Sequence, residues 1–101
     1  MQTKIIELES NKPSIGRVLN SRFNIVITWN AIGAYYNLAV VNLSGQPVMS
    51  GIKMVRGVDL FRGYLKSNTP RGSLYLLSKT PKIDEEPNYD NLSNYRLYHV
   101  I

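Results

Sequence analysis

From Arg22 to Trp29 the chain alternates. Phe23, Ile25, Ile27 and Trp29 fall on one side, and Arg22, Asn24, Val26 and Thr28 on the other. A period of two marks a strand with one face turned inward. Asn30-Ala31-Ile32-Gly33 interrupts the pattern and Ala34–Val41 resumes it, so the two runs read as a hairpin. In the second arm Tyr36, Leu38 and Val40 share one face, and Tyr35, Asn37, Ala39 and Val41 the other. Leu43-Ser44-Gly45-Gln46-Pro47 predicts a tight turn. Val48–Val55 then predicts another extended run, broken at Gly51 and closed by Gly57. Lys4–Leu8 is a short apolar run near the start, followed by a break at Asn11-Lys12-Pro13 with Gly16 close behind. Ser73–Ser78 reads as a strand of central type. In the last strand, Tyr95–Ile101, Tyr95, Leu97 and His99 lie on one face and Arg96, Tyr98 and Val100 on the other. Val58–Tyr64 fits either a helical turn or a short strand. Residues 67–72 read as a loop, and residues 79–94, rich in Pro, Asp and Asn, as a long exposed one.

Apolar residues nowhere hold a 3.6-residue period for eleven positions, so no amphipathic helix is predicted. Six to seven short strands with frequent turn signals predict an all-β domain, a small antiparallel β-barrel or sandwich. At most a short helical turn is expected near 58–64. A barrel is the preferred form, because closure removes sheet edges. The predicted core is Phe23, Ile25, Ile27, Trp29, Tyr36, Leu38, Val40, Leu74, Leu76 and Leu97. The chain has 101 residues and no internal linker, which gives a single domain over 1–101.

Composition then narrows the chemistry. There is no cysteine and one histidine, which excludes a disulfide framework and a thiolate zinc site. His99 on an apolar strand reads as a packed residue, since no Ser or Asp motif accompanies it. Asp84, Glu85, Glu86 and Asp90 sit in the polar loop and read as solvated rather than catalytic or cation-binding. Gly51, Gly57, Gly63 and Gly72 match no phosphate-binding motif. The reading is of a non-enzyme with no cofactor and no metal. No apolar run is long enough to span a membrane, and the first residues carry no signal-peptide core.

The net charge of +5 is unevenly distributed. Residues 12–82 hold ten basic residues against Asp59 alone, while Asp84, Glu85, Glu86 and Asp90 make residues 83–101 acidic despite Arg96. Such a basic body seeks an acidic protein, an anionic surface or nucleic acid. Asp59, between Arg56 and Arg62, is either a turn acceptor or the partner of one of those arginines. Aromatics among lysines and arginines would suit an OB-like nucleic-acid-binding barrel. The scattered placement of the cations and the lack of a nucleic-acid motif count against it. Tyr and Arg are also enriched at protein interfaces. The candidate interface is therefore Arg56, Asp59, Arg62, Tyr64, Asp84, Glu85, Glu86, Tyr89, Tyr95 and Tyr98. Loop 79–94 and the last strand are the expected contact segments, the strand by addition at a sheet edge. Either neighbouring proteins supply acidic surfaces, or the acidic segment of one copy meets the basic body of the next.

The order of the motifs resembles the phage baseplate plug family. Phe23-Asn24-Ile25-Val26-Ile27-Thr28-Trp29-Asn30 is similar to that family's y-x-i-x-i-x-w-n strand. Tyr36 to Val48 is similar to its w-x-l-d-i-x-d-x-x-G-x-p-i hairpin, except that Ala39 follows Leu38 where the family often has an acid. Gly51-Ile52-Lys53-Met54-Val55-Arg56-Gly57-Val58-Asp59-Leu60-Phe61 is similar to G-i-x-l-v-x-G-x-d-L-l, the most specific of these stretches. Tyr89 to Tyr98 is similar to the closing d-n-L-x-x-x-x-L-x-Y. None of these motifs is catalytic. The resemblance implies a structural virion subunit of the tail baseplate, near the central hub or tail tube and assembled in the host cytoplasm. Its implied partners are other baseplate, hub or tail-tube proteins, with several copies in a symmetric assembly.

Overall fold

The computed structural model describes residues 2–63, 69–80 and 85–101. Among them are seven strands and one short 3₁₀ turn. β1 (Thr3–Glu7), β7 (Tyr95–Val100) and β6 (Ser73–Ser78) form a three-stranded antiparallel sheet in the order β1-β7-β6. β2 (Ser14–Val18), β3 (Phe23–Asn30), β4 (Tyr35–Asn42) and β5 (Pro47–Lys53) form a four-stranded meander in chain order. The two sheets do not close on one another, so the molecule is a sandwich rather than the preferred barrel.

The inward faces follow from the alternation. Phe23, Ile25, Ile27, Tyr36, Leu38, Val40, Leu74, Leu76 and Leu97 are buried, and Trp29 packs partly buried against them. Ile6, Leu8, Ile15, Leu19, Met49, Ile52, Met54, Leu60, Phe61 and Leu92 extend this core from both sheets and the segments between them. Burial at this density supplies the main driving force for folding.

Turn geometry is set largely by Asn side chains. The Oδ1 atoms of Asn20, Asn30, Asn42 and Asn88 each accept two nearby backbone N–H groups. Such bonds mimic a backbone turn and tie off donors that the chain reversal would leave unpaired. Gly72 has φ +88°, and a Cβ there would meet the Val100 carbonyl oxygen at 2.3 Å. Only glycine lets the chain pass that close to β7.

Several expectations change. β2 is a strand where the sequence suggested only a break and a glycine. The stretch 58–62 is neither helix nor strand. It is a turn held by single bridges from Arg56 to Leu76 and from Asp59 to Tyr75. β7 is the central strand of its sheet, flanked by β1 and β6, so it has no free edge for strand addition. Loop 79–94 is only partly exposed: Pro87, Asn91 and Leu92 are buried, and residues 81–84 lie outside the described residues.

Candidate assembly surface

The two seams of the sandwich are joined by different chemistry. On one side the stretch Gly51–Phe61 carries the chain from one sheet to the other. Met54 N–H donates to the Tyr36 carbonyl at 2.9 Å, Gly57 N–H to Leu76 at 3.0 Å, and Leu60 N–H to Leu74 at 2.7 Å. Asp59 Oδ1 accepts from Phe61 N–H at 2.9 Å and from Leu74 N–H at 3.0 Å. Asp59 is therefore a turn acceptor that also anchors the turn to β6. Arg56 pairs with Glu86, at 3.4 Å.

On the other side β1 and β2 lie next to one another without a hydrogen-bonded ladder, and side chains span the gap. Lys4 Nζ donates to the carbonyls of Val18 and Leu19 at 3.0 and 3.1 Å. Arg17 Nε donates to the Glu7 carbonyl at 3.1 Å, Nη1 to Gly16 at 2.8 Å, and Nη2 to the Glu9 carboxylate at 2.7 Å. The Arg17 hydrogen bond, ahead of an opposing desolvation, holds the Glu9 carboxyl below its ordinary value. Cationic side chains thus occupy carbonyls that an edge strand would otherwise offer to another chain. The remaining edge, β5, is blunted by Pro47 and by a register break around Gly51, φ +69°. The outer side of β6 is covered by residues 56–60. Strand addition is thus hindered at the β1–β2 seam, along β5 and along β6.

The outer face of the three-stranded sheet is different. Register places nine side chains there in three rows: Thr3, Val100 and Ser73; Ile5, Tyr98 and Tyr75; Glu7, Arg96 and Leu77. Ile5 is 53 % and Leu77 42 % exposed, and Tyr75, Tyr98 and Val100 are half-buried. At one corner Glu7 binds Arg96 at 2.6 Å and Lys79 at 3.4 Å. Desolvation works upward on the Glu7 carboxyl, but these two cations hold it below its ordinary value. Glu7, and after it Tyr98, raise the Arg96 guanidinium further.

The residues expected at an interface separate into groups. Tyr98 belongs to this outer face, and Arg62 is exposed elsewhere on the turn. Tyr95 is fully buried, because it shares the inward side of β7 with Leu97 and His99. Its hydroxyl donates to the Glu85 carbonyl, and burial pushes the phenol upward. Tyr89 is half-buried against Trp29, ring centroids 5.5 Å apart, and its hydroxyl donates to the Asn11 carbonyl at 3.0 Å. Trp29 also meets Tyr36 edge-on at 4.9 Å. These rings therefore pack against each other, edge-on and tilted. Glu85 accepts from Asn91 Nδ2 at 3.3 Å, and Glu86 is held by Arg56. Glu86 thus ties the acidic segment to Arg56 of its own chain's body, while Glu85 binds within the segment. Tyr64 and Asp84 lie outside the described residues.

Sequence reasoning missed Ile5, Tyr75, Leu77, Lys79 and Glu7 as members of one surface. Their signal was the parity of three strands, which becomes a face only once β7 is known to be central. His99 Nε2 lies 2.8 Å from the Arg71 carbonyl, and its ring meets Phe61 edge-on at 5.9 Å. Among the described residues no group of three or more His, Asp or Glu side chains could hold a metal ion. No described helix is long and apolar enough to cross a membrane. A family model described as cyanophage baseplate Pam3 plug gp18 matches residues 3–101. No curated protein matches the chain.

Proposed function

We propose, from the premise that the chain belongs to the family of the cyanophage baseplate plug gp18, that this baseplate component works entirely through protein–protein contacts. Its place is near the central hub or tail tube, in several copies set by the symmetry of the particle, after assembly in the host cytoplasm. The observation that carries the reading is the family match over residues 3–101. The geometry supports a non-enzymatic role. The one acid within the basic body, Asp59, is spent on two backbone N–H groups. His99 is buried on a backbone carbonyl.

Charge gives the contacts a direction. Glu86 pairs with Arg56 within the chain, which favours an acidic surface on another baseplate protein over the acidic segment of the next copy as the partner of the basic body. Mass spectrometry of purified particles and of isolated baseplates tests the reading. The chain is expected in both, at a fixed ratio to the hub or tube protein. Particles that are complete and infective without it would overturn the assignment.

A further inference from the structure

Strand edges and sheet faces are the two ways a β-sandwich meets a partner. Here the edges are occupied. Arg17 caps the Glu7 carbonyl at the end of β1 and Lys4 that of Val18 at the end of β2, Pro47 and the Gly51 irregularity blunt β5, and residues 56–60 cover β6. The outer face of the four-stranded sheet carries Gly16, Val26, Ala39 and Val41 with the 59 % exposed Val18, and its tyrosine, Tyr35, lies at the strand end under Lys53. The outer face of the three-stranded sheet instead presents Ile5, Tyr98 and Tyr75 in one row with Leu77 and Val100 beside them. Tyr98, Tyr75 and Arg96 are of the residue types enriched at interface hot spots, and the aliphatic side chains beside them add apolar area.

We propose that this outer face, Ile5–Tyr98–Tyr75 with Leu77 and Arg96, docks the chain onto a different baseplate protein. The partner's contact is apolar at its centre and acidic at its rim. The inference rests on the baseplate reading above and names the surface that reading leaves open.

Two observations select this occupant over a second copy. The first is charge. Arg96 and Lys79 share the single carboxylate of Glu7, which leaves one positive charge at the corner of the face. Two copies packed face to face would set that surplus against itself, whereas an acidic rim neutralises it. The second is area. Three strands at their normal spacing, each contributing three outward residues, project onto about 300 Å² of sheet, a measure smaller than their accessible area. A stable dimer needs about 800 Å² from each partner. The face is sufficient as one contact among several in a large assembly and insufficient to hold two free chains together.

The test places a photo-crosslinking phenylalanine derivative at Tyr75 of the full chain and, as a control, at Ala39 on the opposite outer face. Phage are grown with each variant, and purified particles are irradiated and analysed by mass spectrometry. The expected result is a cross-link from position 75 to a different baseplate protein, at an apolar segment bordered by Asp or Glu. A cross-link from 75 to a second copy, or cross-links from 39 with none from 75, overturns the proposal and leaves the baseplate reading standing. Absence of the chain from particles made with the unmodified sequence overturns the baseplate reading itself. Lys79→Glu tests the rim. With an unchanged thermal melt, incorporation into particles is expected to fall about tenfold, because like charges then meet across the contact. Undiminished incorporation would refute the acidic rim.

Discussion

Replacing Asp59 separates the two roles that its position between Arg56 and Arg62 suggests. Oδ1 accepts from Phe61 N–H at 2.9 Å and from Leu74 N–H at 3.0 Å. Asp59→Ala removes both acceptors at once and leaves two partly buried donors. A buried donor without a partner costs about 1–3 kcal/mol, and access of water to this turn keeps each near the lower end. The expected loss is about 2 kcal/mol, which for a domain of this size lowers the melting midpoint by about 8–16 °C. Asp59→Asn keeps a carbonyl oxygen at the same place. It should cost under about 1 kcal/mol, because the geometry of acceptance survives and only the charge is lost. Urea and thermal unfolding of the wild type and both variants measure the difference. If Asn destabilised as much as Ala, charge would be the active property and an ion pair would be the better account. If Ala cost less than about 0.5 kcal/mol, the anchoring of this turn to β6 would be refuted outright.

The remaining predictions concern close approach, the open seam and pH. Gly72→Ala should cost more than about 2 kcal/mol, since its Cβ meets the Val100 oxygen at 2.3 Å. Gly45→Ala, at φ +82° with open space around it, should cost only about 1 kcal/mol in the same unfolding assay. Lys4→Met together with Arg17→Leu should raise amide hydrogen exchange along β1 and β2 and promote self-association, read by light scattering. Unchanged exchange would show that these cations do not guard the edge. Glu7 has its folded-state pKa lowered by Arg96 and Lys79. Its contribution is therefore complete above the ordinary value of 4.5 and is lost as pH falls through the lower folded value. Glu7→Gln should flatten the acid limb of a stability–pH curve and leave the neutral region nearly level.

The parity of apolar positions made most of this fold legible. Phe23-Ile25-Ile27 and Tyr36-Leu38-Val40 alternate cleanly, and alternation survives any choice between barrel and sandwich. β2 was not legible. Ser-Ile-Gly-Arg-Val offers one inward apolar residue, Ile15, and its second inward position holds Arg17, which works at the seam instead of in the core. The stretch 85–94 looked solvated because its order comes from amides. Asn88 and Asn91 bond the loop's own backbone, Ser93 N–H donates to Ser10, and Asn11 N–H donates to Tyr89. Polar composition hides such a network, since identical residues in water would read the same. Tyr95 was readable and was misplaced. It shares a face with Leu97 and His99, so the pattern that put those two inward applies to it as well.

The gap between sandwich and barrel has one physical source, and it bears on assembly. Backbone bonds from Gly51–Phe61 join the sheets at one seam, so closure there was already encoded in the stretch that most resembles the plug family. At the other seam β1 and β2 meet through Lys4 and Arg17. A closed ladder would have bound those carbonyls equally well, but it would have fixed the tilt of β1 relative to the meander. Side-chain bonds close this seam without a ladder, and the register of β1 on β7 sets Ile5 in line with Tyr98 and Tyr75. The capped seam also removes the competing mode of association, because a bare edge would recruit any extended segment regardless of its side chains. Contact through the proposed face depends instead on shape and sequence and so can be specific to one neighbour.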